Sequence, residues 1–281
     1  MSDPNKWKEI CESERSVLLD AASLCRPLRA MPMSPIDNFY AYISSLVPLG
    51  TEEQLRNSDV LGKVLMLGIV SATEHYFRTI LSGLIHICPV VRNRAASQAI
   101  PFGALEYYSN ASIGLAIFEH LSLADPKEIQ KLTSKLIGFQ VEQESSAKAA
   151  FVEFDKLCQI RHAAVHSRGD LSLKNLQDLG MEVTAGRPLA IHFELSSLHT
   201  AASICQNVVR AYNRLAYRKT VEAWIGEHLL TGVWAQDRVR FTPLFELFHS
   251  CNDGRGYSNA YLAHRPLTPI VTRVLSRVPA R

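Results

Sequence analysis

The sequence predicts a mainly α-helical protein. Apolar residues recur at three- and four-residue spacing over long windows, Ser, Thr or Asp stands ahead of most of these windows with Gly or Pro behind, and only one stretch alternates with period two. The expected architecture is a helical bundle with a small β-hairpin near 181–195 and an irregular C-terminal extension. Three parts are expected: N-terminal helices and a Pro-rich loop over 1–54, a helical domain over 55–232, and the extension over 233–281 packed on that core.

Bulk properties narrow the classes of function. With 281 residues, 47% hydrophobic and 20% charged, the chain has an ordinary globular composition. A net charge of +3 favours a polyanionic partner only slightly. The six cysteines, at 11, 25, 88, 158, 205 and 251, form no CxxC pair, and the first residues lack the apolar core of a signal peptide. Reduced, mostly buried thiols and a cytoplasmic location are expected. The most apolar region, Val60 to Val91, is interrupted by Lys63, Glu74, His75 and Arg78, so it reads as a buried helix and no membrane association is expected.

In chain order, Asp3-Pro4 has the form of an N-cap followed by proline, and Trp7, Ile10, Cys11, Val17, Leu18, Ala21, Ala22 and Cys25 roughly keep helical spacing, predicting a helix from about 4 to 25. Pro27, Pro32 and Pro35 mark a loop, a candidate flap or partner surface, before a short helix over 36–47. Thr51-Glu52-Glu53-Gln54 has capping-box form, and Ser58-Asp59 opens a long helix to about Ile87. A segment beginning at Val91 becomes helical from Leu105 to Leu121, and Asp125-Pro126 caps a helix ending at Gly138. Ser145-Ser146 starts the helix that carries Phe151, Phe154, Leu157, Cys158 and Ile160 towards a stop at Gly169. Ser172 caps a short helix to Gly180. Residues 181–195 alternate around a Gly-containing turn and predict the hairpin. Ser196-Ser197 caps a long helix through Trp224 and Leu229, closed by Gly232, after which the turn-rich 251–259 and Pro266 and Pro269 loosen the pattern.

Reactive side chains enter this scaffold at Arg161-His162-Ala163-Ala164-Val165-His166. An imidazole takes and gives a proton near neutral pH, and a guanidinium matches a phosphate with two parallel hydrogen bonds, so the pair suits phosphate-ester chemistry. The chain has no Gly-rich phosphate loop, GxSxG elbow, HExxH or paired-Cys zinc pattern. His162 and His166 have the i,i+4 spacing a metal uses but lack the adjacent Glu of a zinc protease, and neither metal nor cofactor is expected. On a continuous helix Arg161 and His166 point about 140° apart. Either the helix breaks near Val165, or two chains bring two copies of the motif together across a two-fold axis.

Several residues keep two readings. Glu74 pairs with Arg78 one turn on, or orients the Arg161/His166 group. His162 is a site member or a packing residue. Arg92-Asn93-Arg94 is a solvated loop or a contact for RNA phosphates. Arg210, Arg214 and Arg218 form a solvated face or a phosphate-tracking stripe. The other histidines, His249 and His264 among them, read as structural or surface groups.

Arg161, four intervening residues and His166, late in a helix of an all-α chain, resemble the signature of the HEPN superfamily, with His162 where Asn more often follows the arginine. The order of parts is also similar: a long apolar helix bearing Glu74-His75-Tyr76-Phe77-Arg78, then the motif helix, a Gly-limited short segment and a later long helix. The resemblance covers about 55–230. It implies a HEPN-like bundle and a metal-independent endoribonuclease that cuts RNA by 2′-OH attack, works as a homodimer, and serves as a toxin, an anti-phage defence effector or an RNA-processing enzyme, with an antitoxin or defence-system protein as a further partner. The implied catalytic residues are Arg161, His166, His162 and Glu74, with Arg168, Arg92 and Arg94 contacting RNA. The alternative is a non-catalytic HEPN-like dimerisation or interaction module within a larger assembly.

Overall fold

Short polar side chains just ahead of apolar stretches set where many of the helices begin. In the computed structural model, which describes residues 10–12, 15–27, 33–141, 145–184, 186–253 and 256–276, the Ser34 side chain accepts from the Asp37 N–H and opens α1 (Pro35–Leu46). Thr51 and Gln54 cap each other at α2 (Glu52–Asn57), and Ser58 opens the 29-residue α3 (Asp59–Ile87). Then come α4 (Pro89–Ala95), α5 (Ala104–Tyr107), α6 (Pro126–Leu136), α7 (Ser145–His166), α8 (Leu173–Asp178), α9 (Leu195–Gly226), α10 (Trp234–Phe248), α11 (Ala260–His264) and α12 (Thr268–Leu275). Among the described residues no helix is long and apolar enough to cross a membrane.

Two units divide the chain, Met1–Pro32 and Met33–Arg281. In the first, only a 3-10 turn over Ala21–Leu24 forms among the described residues, capped by Asp20. The helix expected from about 4 to 25 is not formed over 15–20; residues 1–9 and 13–14, and 28–32 of the Pro-rich loop, lie outside the described residues. Val17, Leu18 and Leu19 are exposed, so no packed face is present to stabilise a helix there.

The second unit is a bundle of α1, α3, α7 and α9. Gly62 lies against Phe193, and Phe77 against Tyr212, so α3 and α9 run in the same direction. Phe77 also meets Phe151 and Phe154 while the Lys63 ammonium reaches the Arg168 carbonyl, so α7 runs against them. Contacts from Phe39 to Tyr76 and from Leu46 to Gly68 set α1 antiparallel to α3. At Gly62 a Cβ would stand 2.5 Å from that of Phe193, so the close approach of this segment requires glycine.

Tyr76, Phe77, Phe151, Phe154 and Tyr212 form the middle of the core, and burying each such ring contributes about 1.5–3 kcal/mol. Their polar tips are satisfied: the Tyr76 hydroxyl donates to Asn213 at 3.0 Å, and the hydroxyls of Tyr212 and Thr133 pair at 2.9 Å.

The structure departs from expectation in three further places. The helix predicted over 105–121 is broken into α5 and a 3-10 segment, Ile113–Phe118. No strand pair forms among the described residues of 181–195. The second arm pairs instead with the turn after α7: Leu171 N–H donates to Leu189 O at 2.9 Å, and Ile191 N–H to Gly169 O at 2.8 Å, around a single antiparallel bridge between Asp170 and Ala190. The segment beyond 233 is not irregular but carries α10, α11 and α12, with α10 packed on α3 and α9. Helix α10 continues through an internal proline, Pro243.

Candidate functional site at the end of α7

Helix α7 is unbroken through His166. Its buried stripe runs through Phe151, Phe154, Leu157 and Cys158, and Arg161 is the next residue on that stripe, where the bundle opens. Arg161 is partly exposed and has no hydrogen bond or ion pair with the described residues. His162 and His166 are exposed, one turn apart, with ring centroids 4.4 Å from each other and planes tilted by 46°. Of the two geometries open to the motif, the break near Val165 is therefore absent. Arg161 and His166 leave one chain in directions about 140° apart and cannot meet on one phosphate within it.

The helix ends at a designed stop. Arg168 has φ +55° and Gly169 φ +102°, and the Gly169 N–H turns back to the Ala163 carbonyl at 3.0 Å. The Lys63 ammonium holds the Arg168 carbonyl at 2.8 Å, with its stem against Gly169. This fixes the backbone beside His166 while leaving the Arg168 side chain exposed. The α-helix dipole places partial negative charge at this end, which favours the Arg168 cation.

The other candidate residues are engaged elsewhere. Glu74 accepts from Arg78 at 2.8 Å and from the Leu123 N–H at 2.9 Å, while Arg78 also holds the Phe118 and Leu121 carbonyls. Together they fasten the 118–123 segment to α3. Arg92 donates to Ile85 O at 3.3 Å and to His86 O, closing the end of α3, and Arg94 holds Ile137 O at the end of α6. These three side chains hold helix ends and connecting backbone, and none of their hydrogen bonds runs to Arg161 or His166.

Burial pushes the thiol of Cys158, one turn before Arg161, well up from its usual range, with nearby Cys205 adding to the shift and Arg161 opposing it. Cys205 is pushed up to about 12 by burial. Neither is a nucleophile near neutral pH. Among the described residues no group of three or more His, Cys, Asp or Glu is placed to hold a metal ion.

Two cavities, of about 810 and 480 Å³, lie elsewhere; neither is lined by Arg161, His162 or His166. Sequence reasoning missed the walls of the larger one, although Arg210 and Arg214 had marked its α9 side. Comparison with protein-family models, with curated proteins and with solved structures finds no match to this chain, so what supports an activity is the chemistry of its own residues.

Proposed function

We propose that the protein is a metal-independent endoribonuclease of HEPN type whose site is completed by pairing two chains at the ends of their α7 helices. The observation that carries this reading is Arg161: a guanidinium on the buried stripe of α7, partly exposed and without a partner among the described residues, next in sequence to one exposed imidazole, His162, and five residues before another, His166. An arginine so placed contributes little to stability and is suited to an anion arriving from outside. A two-fold axis near this end would set Arg161 of one chain beside the histidine pair of the other.

In such a cleft His166 takes the proton of an RNA 2′-OH as that oxygen attacks the adjacent phosphorus. Arg161 stabilises the charge gathering on the non-bridging oxygens. The P–O5′ bond breaks, the departing oxygen receives a proton from a second imidazole, and the products carry a 2′,3′-cyclic phosphate and a 5′-hydroxyl. The second imidazole is His162 or the other chain's copy of the motif.

Purified protein is expected to cut RNA in the presence of EDTA, and Arg161→Ala and His166→Ala each to lower the rate by about 10²-fold or more with an unchanged circular dichroism spectrum. If either variant cuts as fast as wild type, the reading fails. A non-catalytic interaction module predicts no cleavage at all.

A further inference from the structure

The stripe of arginines on α9 divides in the structure. Arg218 pairs with Glu222 at 3.8 Å. Arg210 donates to the Tyr40 hydroxyl at 2.7 Å and to Asp253 at 3.0 Å, with its guanidinium 5.1 Å from the Tyr40 ring centre. Arg214 has no hydrogen bond or ion pair with the described residues. Arg210, Arg214 and Tyr217 stand at i, i+4 and i+7, and all three line the cavity of about 810 Å³.

The opposite walls are aromatic. His249 stacks on Phe245 with centroids 4.5 Å apart and planes within 25°. Tyr257 also lines the cavity and is 48% exposed. The shape is held from beneath: buried Asp37 accepts from Ser250 Oγ at 2.6 Å and from the Cys251 N–H at 2.8 Å, and Tyr40 donates to Asp253 at 3.1 Å. The wall over 249–253 is therefore anchored to α1. Asp253 neutralises Arg210, which leaves Arg214 as a cation without a counter-charge among the described residues, lining with aromatic rings a cavity of the size small-molecule sites have.

We propose that this cavity binds a small molecule carrying both a phosphate and a flat ring, of mononucleotide size. Arg214 takes the phosphate in a forked hydrogen bond, with Arg210 held rigid beside it. The ring stacks on the tyrosine and His249 faces, an interaction that tolerates different bases. None of the residues lining it belongs to α7, so it is distinct from the proposed nuclease centre.

Isothermal titration of the full chain with the four 5′-mononucleotides, the matching nucleosides, ribose 5-phosphate and inorganic phosphate tests this. At least one mononucleotide is expected to bind, with its nucleoside and both ring-free phosphates weaker by about tenfold or more. Arg214→Ala, at an exposed position, should weaken the mononucleotide by about 10–100-fold, and Tyr257→Ala by about fivefold or more. Arg161→Ala and His166→Ala should bind it as wild type does. No binding by any mononucleotide at millimolar concentration, a nucleoside or inorganic phosphate that binds as tightly, an Arg214→Ala protein that binds unchanged, or loss of binding in the α7 variants would each overturn the proposal.

Discussion

Arginines in this chain separate by what their guanidinium groups hold. Arg78, Arg92, Arg94 and Arg240 take carbonyl oxygens at the ends of helices or 3-10 segments, Arg210 is tied to Tyr40 and Asp253, and Arg161 and Arg214 hold no described residue. The first group serves the fold, and substitution should cost stability. Glu74→Gln, which weakens the hold on Arg78 and leaves the Leu123 N–H an acceptor, is expected to lower stability by about 1–2 kcal/mol in urea unfolding without changing the pH profile of any RNA cleavage. A changed pH profile would return Glu74 to the chemistry.

Asp237 supplies a second test at this scale. It is buried and accepts from the Thr231 N–H and hydroxyl, the Gly232 N–H and His264, all within 2.9 Å. Burial alone would raise its carboxyl, but these bonds prevail and hold it below the usual carboxylate range. Because the folded value is lower than the unfolded one, the contribution is complete above about pH 4 and is lost as pH falls through the folded value. Asp237→Asn should cost about 2–4 kcal/mol at neutral pH and flatten the acid limb of a stability profile. An unchanged acid limb would contradict that role.

At the scale of elements, α7 and its stop form the part on which the site depends. Gly169→Val places a branched side chain at φ +102° and against Lys63 and should fray the end of α7, lowering the melting temperature and mobilising His166. Amide exchange at Ala163 to Ser167 reads this directly, and unchanged protection there would contradict it.

The same elements explain what the sequence could reveal. Caps at Thr51, Ser58, Asp125 and Ser172, with stops at Gly138, Gly169 and Gly180, are local signals, and the helices they bound lie where those signals put them. The hairpin failed because the partner of 189–191 is the turn at 169–171, a choice made by tertiary contact. Of the site, the residue types and the 140° conflict between Arg161 and His166 were legible. That Glu74, Arg92 and Arg94 hold backbone was not, since their partners, the Leu123 N–H and the Ile85 and Ile137 carbonyls, are set by packing.

For the whole molecule, three cysteines are buried and three exposed, where mostly buried thiols were expected. Brief alkylation of native protein should label Cys11, Cys25 and Cys251 and spare Cys88, Cys158 and Cys205 until denaturant is added; early labelling of the last three would contradict the packed core. The larger issue is whether one chain suffices. A continuous α7 denies a single molecule a site with both Arg161 and His166 on one phosphate, so the proposed activity depends on pairing. The direct measurement is RNA cleavage in EDTA across a range of protein concentrations, with the dimer fraction determined by sedimentation on the same samples. The account predicts that cleavage per chain rises in proportion to the dimer fraction. Cleavage per chain that stays constant as dimers dissociate, or a stable dimer that leaves RNA intact, would contradict it.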